Sequence, residues 1–518
     1  MQRRDFLQKT SVLLPTLFGR YAIQAMAQSA WMQALLPIET DRVLVLVQLF
    51  GGNDGLNCVI PLDQYAALSR VRPNILIPEN KVLKLNTNTG FHPAMSAMKT
   101  LFEEEKLAIV QSVGYPNPNF SHFRATDIWM SASEENENVY SGWMGRYLQQ
   151  EYAGFPSNFP NTHMPDPLAL QIGAQLSLTL NGAQSPMGIS INSNGQFYDI
   201  VEDKDDSNVG GYAEEELKHV RLIASQTYKY GDSLKKAYEK GKNATDYPIN
   251  NTLADQFKIV ARLIKGGLKT RVYMVSIGGF DTHADQVSSG DTTKGLHTTL
   301  LQGVSEAIYA FQKDLEKLAL SQRVLGLTFS EFGRRIRSNG SLGTDHGAAA
   351  PLFLFGTAVN GRIFGNNPTI PIDANIGTNI PMQYDFRAVY TSILKDWFCV
   401  NDSAMSDIML RNFQHINLIK TPNCTTFSKD ILTEDIDCQC FPNPCADFTH
   451  ISFYAETGYT LIQVFNAEAQ LIAVPFSQNV GIGELKITLN TEGYAVGLYY
   501  VRVQNGNRQK VITLVKMR

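Results

Sequence analysis

Arg271 to Gln286 reads RVYMVSIGGFDTHADQ. A mostly apolar run, Val272 to Ile277, meets Gly278-Gly279 and then releases Asp281, Thr282, His283 and Asp285. A buried strand that ends in glycines and is followed by carboxylate and imidazole side chains is how α/β enzymes present a site at the carboxyl edge of a sheet. The pattern recurs on either side. Val43 to Phe50 (VLVLVQLF) runs into Gly51-Gly52-Asn53-Asp54-Gly55. Arg323 to Ser330 (RVLGLTFS) runs into Glu331, with Thr344-Asp345-His346-Gly347 soon after. Three strand ends thus deliver acids and imidazoles, and the expectation is that they converge on one metal site.

The segments between these strands read as helices. Met95, Met98, Leu101 and Phe102 share one helical face after His92-Pro93. Leu107 to Val113 is a second buried strand, and it leads to Ser121, placed to cap a helix through Met130. Leu168 to Ile172 is a short strand; Glu214 to Lys240 and Thr252 to Lys265 are helical. Leu296, Leu300, Val304, Ile308, Phe311 and Leu315 space a long amphipathic helix. Strands at Val324 to Phe329 and Pro351 to Phe355 and a helix from Tyr384 to Phe398 complete the alternation. The fold class expected is α/β, a doubly wound, largely parallel sheet. Asn192 to Gly211 is polar and reads as an exposed excursion.

The chain has 518 residues and a net charge of −4, with no basic patch interleaved with aromatics, so nucleic acid is not an expected partner. Beyond the first thirty residues no apolar run reaches the roughly 18 needed to span a bilayer, and no transmembrane anchor is expected in the mature chain. Arg3-Arg4-Asp5-Phe6-Leu7, the apolar stretch to Gly19 and Ala25-Met26-Ala27 resemble a twin-arginine export signal over residues 1–27. Of six cysteines, Cys58 and Cys399 sit in apolar contexts and read as core thiols. Cys424, Cys438, Cys440 and Cys445 crowd a polar stretch and read as one or two local disulfides, since their spacing is poor for zinc.

Near Ile419 the pattern changes. Residues 421–448 are rich in Pro, Cys and Asp and read as a linker. From His450 to Arg518, short alternating strands separated by turn residues predict a small all-β sandwich.

The candidate chemistry follows from residue type. Asp281, His283, Asp345 and His346, with Asp54, can share a divalent ion: imidazole with carboxylate suits zinc, manganese or iron, carboxylate with water suits magnesium or calcium. Ser121, at a helix start whose amides can hold an oxyanion, is the candidate nucleophile, and His122 a general acid or ligand. Arg124, Arg334 and Arg335 can clamp an oxyanion. His297, starting the long helix, is a weaker candidate, and His92, before Pro93, reads as packing at a helix entry. Dinucleotide, phosphate-loop, zincin and nucleophile-elbow motifs are absent from the sequence.

Gly51 to Gly55, Ser121-His122-Phe123-Arg124-Ala125, Gly278 to His283, Phe329 to Arg334 and Thr344 to Gly347 occur together and in order. Over residues 41–416 they resemble the DUF1501 family, which looks like a branch of the alkaline phosphatase/sulfatase superfamily. The resemblance implies an alkaline phosphatase-like core with one or two divalent ions. In it, Asp54, Asp345 and His346 are ligands and Ser121 is the nucleophile, acting on a phosphate or sulfate ester of a small molecule or polymer. The chain departs from the superfamily in spacing: Asp281-x-His283 stands where Asp-x3-His is usual, and Asp285 falls at the histidine's place. That departure supports an alternative, a non-catalytic surface protein on the same scaffold. Gly497-Leu498-Tyr499-Tyr500-Val501-Arg502-Val503, Gly506 and Lys510 to Lys516 resemble the C-terminal sorting domain of type IX secretion. It implies export and sorting machinery as partners, with periplasmic transit and an outer-membrane surface or extracellular destination.

Overall fold

Alternation along one strand sets the two faces of the central sheet. Val43–Leu49 (β1) is buried at every position. Leu44 and Leu46 pack into one hydrophobic core, and Val43, Val45 and Val47 into the other. Side chains one apart on a strand point to opposite faces, so a strand apolar throughout must be covered on both. The computed structural model describes residues 41–152, 154–161, 164–192, 229–420, 424, 434–467, 471–505 and 508–517. The export signal at 1–27 and nearly all of the expected excursion lie outside them, as does the first half of the helix expected from Glu214; its remainder, 229–240, is helical.

The other strands of this sheet are Leu107–Gly114 (β2), Ala169–Ile172 (β3), Ile189–Ile191 (β4), Val272–Ile277 (β5), Val324–Phe329 (β6), Ala350–Phe355 (β7), Ile363–Phe364 (β8) and Tyr384–Asp385 (β9). Their order is β8-β2-β7-β6-β1-β5-β3-β4, with β9 also beside β2. β1 runs parallel to both neighbours, Leu49 opposite Ile277 and Gln48 opposite Phe329. Only β7, among the described strands of this sheet, is antiparallel to its neighbours. One face is covered by His122–Ser131 (α2), Trp143–Glu151 (α3) and Phe386–Asp396 (α6). The other is covered by Ser96–Glu103 (α1), Thr252–Lys265 (α4) and Leu296–Lys317 (α5). The doubly wound, largely parallel sheet is therefore as expected. Caps differ in detail: α4 is capped by Asn251, whose Oδ1 accepts from the Ala254 amide at 3.0 Å, rather than by Thr252. Ser121 holds the N-cap position of α2, but its hydroxyl makes no capping bond.

The C-terminal part is all-β and starts earlier than expected. Its strands are Glu434–Asp435 (β10), Cys438–Phe441 (β11), Phe448–Ala455 (β12), Gly458–Phe465 (β13), Leu471–Val480 (β14), Gly483–Asn490 (β15), Gly497–Asn505 (β16) and Arg508–Lys516 (β17). They form a five-stranded sheet, β10-β17-β16-β13-β14, and a three-stranded one, β11-β12-β15. Ile451, Phe453, Ile462, Val464, Val501, Val503 and Leu514 fill their shared core. The stretch read as linker to residue 448 thus contributes β10, β11 and the start of β12. Cys440 and Cys445 are buried in that core as free thiols, and Cys438 is also free. The local disulfides expected there are corrected: the one disulfide among the described residues joins Cys424 to Cys399, read above as a core thiol. Cys58 is a buried free thiol, as expected.

Candidate metal centre

Because β1, β5 and β6 are parallel and in register, the loops after them leave the same edge of the sheet. Arg334, fully buried, ties those loops together. Its guanidinium donates to the carbonyls of Gly51, Gly52 (2.7 Å), Phe280 (3.0 Å) and Thr344 (2.8 Å), and to Asp281 Oδ1 (2.7 Å). Gly51 lets the first loop close on the second. Its φ is +122°, and a Cβ there would lie 2.3 Å from the Asp281 amide nitrogen.

Above this clamp four side chains meet. His346 Nε2 and His283 Nε2 are 2.9 Å apart, and they lie 3.1 and 3.2 Å from Asp281 Oδ1. His122 Nε2 is 3.4 Å from Asp281 Oδ2. The second nitrogen of every ring is engaged by an acceptor. His346 Nδ1 faces the Phe120 carbonyl at 2.8 Å, His283 Nδ1 faces Asp345 Oδ1 at 3.1 Å, and His122 Nδ1 faces Glu331 Oε1 at 2.7 Å. Each Nδ1 is therefore assigned as the N–H donor, which leaves each Nε2 with its lone pair. Three lone pairs and a carboxylate that converge without a hydrogen among them repel one another unless a cation lies between. Imidazoles that donate their other N–H to a carboxylate or carbonyl are the arrangement that holds metal ligands in place. The separations among His283 Nε2, His346 Nε2 and Asp281 Oδ1, near 3 Å, also approach the roughly 3.3 Å edge of a tetrahedron with about 2.0 Å metal–nitrogen bonds. His122, Asp281 and His346 bring their donor atoms within 4.8 Å of one another. The residues present fit a divalent ion.

The electrostatics agree. Burial works to raise the Asp281 carboxyl, but the hydrogen bond and charge of Arg334 outweigh it and hold the group down at about 2. Burial lowers His346, opposed by the Phe120 carbonyl and Asp281, and the net shift is downward, toward the neutral ring a metal requires. Asp345 is also lowered: burial raises it, and hydrogen bonds from Asn339 and His283 outweigh that.

Several expected residues stand elsewhere. Asp54 is fully buried and paired with Arg72 at 2.9 Å; its oxygens also accept from Gln286 Nε2 (2.6 Å) and the Leu56 amide (3.3 Å). An inward ion pair with these partners takes Asp54 out of the donor set. Asp345 meets His283 at Nδ1, so it backs that ring and does not join the converging atoms. Arg124 is spent on the carbonyls of Glu134, Glu135 and Glu137, where it ties down the loop after α2. Arg335 retains free donors: Nη1 meets the Gly377 carbonyl, while Nε and Nη2 have no hydrogen-bond partner among the described residues. Ser121 is exposed beside His122, and Thr282 is buried against Gln286 at 3.1 Å. His297 and His92 lie in the core, His297 Nε2 on Asn53 Oδ1 at 2.8 Å. Glu331, noted at its strand end but given no role above, is fully buried and held by the Gly51 amide at 2.8 Å. A carboxylate following a buried strand was the available signal.

No curated protein matches the chain. Among solved structures, a Bacteroides thetaiotaomicron protein from a glycosaminoglycan-metabolism locus is 8% identical, with 87% of this chain and 90% of that chain covered, at a TM-score of 0.35. A protein in the alkaline phosphatase superfamily from Vibrio parahaemolyticus is 8% identical over 92% and 80%, at 0.28. A Pseudoalteromonas sulfatase is 10% identical over 91% and 86%, at 0.30. Among the described residues no helix is long and apolar enough to cross a membrane. Residues 439–517 match a secretion system C-terminal sorting domain, which marks the protein for export. With residues 75–397 matching the family's pattern, the chain belongs to the family described as protein of unknown function (DUF1501).

Proposed function

We propose that this protein is an exported, metal-dependent hydrolase of phosphate or sulfate esters. The observation that carries the reading is the convergence of three Nε2 lone pairs on the Asp281 carboxylate. His122, Asp281, His283 and His346 would hold the ion; a set with this much imidazole favours zinc or manganese over magnesium or calcium. When bound, such an ion supplies Lewis-acid charge and eases ionisation of a hydroxyl. The chain's own residues do the rest. Glu331, Asp345 and the Phe120 carbonyl fix the three rings so that each Nε2 faces the centre. Ser121, at the exposed start of α2, offers the hydroxyl that attacks. The amides that open α2 lie where a helix terminus stabilises developing negative charge. Arg335 offers two unengaged donors to the ester's oxygens.

The pairing of Asp54 with Arg72 favours a second reading, a non-catalytic surface protein that keeps a structural ion on the same scaffold. Metal analysis of the full chain, followed by assays on 4-nitrophenyl phosphate and 4-nitrophenyl sulfate after chelation and metal add-back, separates the two. The hydrolase reading expects metal-restored turnover that His346→Ala and Ser121→Ala each reduce by about 10²-fold or more. Stoichiometric metal without turnover of either ester supports the second reading. Turnover untouched by Ser121→Ala removes Ser121 as nucleophile.

A further inference from the structure

We infer that the centre carries an apolar, ring-binding rim, so that its substrates are anionic esters whose alcohol part presents a flat apolar face. This rests on the hydrolase reading above. Phe123 directly follows His122 on the first turn of α2 and is 85% exposed. A phenylalanine left in water forgoes a burial that is worth making, and it does so here one residue from a side chain of the centre. Phe50, at the end of β1, is 43% exposed, with its ring 5.7 Å from that of His122. Phe120, whose carbonyl holds His346, carries the Arg335 guanidinium 4.7 Å above its ring. Arg335 anchors to the Gly377 carbonyl, and the preceding Ile376 is 75% exposed. Phe120 thus lies under a guanidinium with donors to spare, while Phe50 stands against His122 and the exposed Phe123 follows His122 at the start of α2. A compact inorganic anion uses the centre and Arg335 only. An ester that adds a ring can lay its face on Phe123 and Phe50, a contact open equally to an aromatic ring and to the C–H face of a sugar.

Isothermal titration of the zinc-loaded full chain with inorganic phosphate, phenyl phosphate and glucose 6-phosphate tests this by binding. At least one ring-bearing ester is expected to bind about tenfold tighter than inorganic phosphate, and the tighter of the two identifies an aryl or a sugar face. Phe123→Ala should erase that excess and leave inorganic phosphate within about twofold, because the ring is solvent-exposed and its removal opens no cavity. Arg335→Gln should weaken all three ligands. Equal affinity for the three, an excess that survives Phe123→Ala, or no binding at all overturns the inference. Tight ring-dependent binding without hydrolysis of any ester supports the rim and counts against the hydrolase reading alone.

Discussion

Arg334 shows how one residue organises the centre. Its five acceptors come from the loops after β1, β5 and β6. Lysine cannot reproduce a planar fork, so Arg334→Lys leaves several buried carbonyls without donors, each at about 1–3 kcal/mol. The variant is expected to lose roughly 3–5 kcal/mol in urea denaturation and to hold metal more weakly. A stability within about 0.5 kcal/mol of the parent would show that the clamp is dispensable. A second residue-scale effect lies beneath the centre. Burial lowers His297 to about 4, against the pull of Asp54, so the folded protein keeps this ring neutral well below its ordinary value. A depressed folded pKa stabilises fully above the unfolded value near 6.5, and that stability is lost as the pH falls from about 6.5 toward 4. At pH 5 the loss from His297 alone is on the order of 2 kcal/mol. Denaturation midpoints at pH 7 and pH 5 should therefore differ less in His297→Gln than in the parent; equal differences would refute the assignment.

At the scale of elements, the decisive object is the junction where β1 hands over to its glycine loop. Gly51→Ala must either displace the Asp281 segment or move β1, because its Cβ has backbone 2.3 Å away at a φ of +122°. Gly278→Ala, at the end of β5, meets nothing within 4 Å. The first substitution is expected to cost about 1–3 kcal/mol and to weaken metal binding, and the second to stay within about 0.5 kcal/mol. Metal titration and melting of both variants check this, and equal behaviour would contradict the packing described. These junctions also show what was legible in the sequence. Strand ends, and Asp281, His283 and His346 among the proposed ligands, could be read because apolar runs stop at glycines and the polar groups follow at once. The burial of Asp54 could not, because its partner Arg72 lies in an unremarkable stretch and its partner Gln286 across the sheet edge. Asp345 and Asp281 look alike in sequence; only the side of the His283 ring each faces separates the backing residue from the proposed ligand.

At the scale of the whole molecule, the chain is built around separate cores. Two flank the α/β sheet, and a third fills the C-terminal sandwich from Ile436 to Leu514. The sheet could be anticipated from hydrophobic runs, whereas the sandwich's first strands could not. In β11 Cys440 takes an inward position that valine or isoleucine usually fills, Cys445 is buried between β11 and β12, and Pro442 and Pro444 interrupt the alternation there. Between the two parts, Cys424 is bonded to Cys399, 25 residues earlier, just after α6. In the loop-entropy view such a closure contributes about 3 kcal/mol to the part that contains it. Both cysteines precede the sandwich, so the bond should stabilise the α/β part alone. A chain ending at residue 430 is therefore expected to retain the α/β transition in calorimetry and its full metal content, and to lose a separate transition belonging to the sandwich. Cys399→Ser with Cys424→Ser in the full chain should lower only the α/β transition. A single transition in the full chain, or loss of metal on truncation, would mean that the sorting domain and the ion-binding body depend on each other for folding.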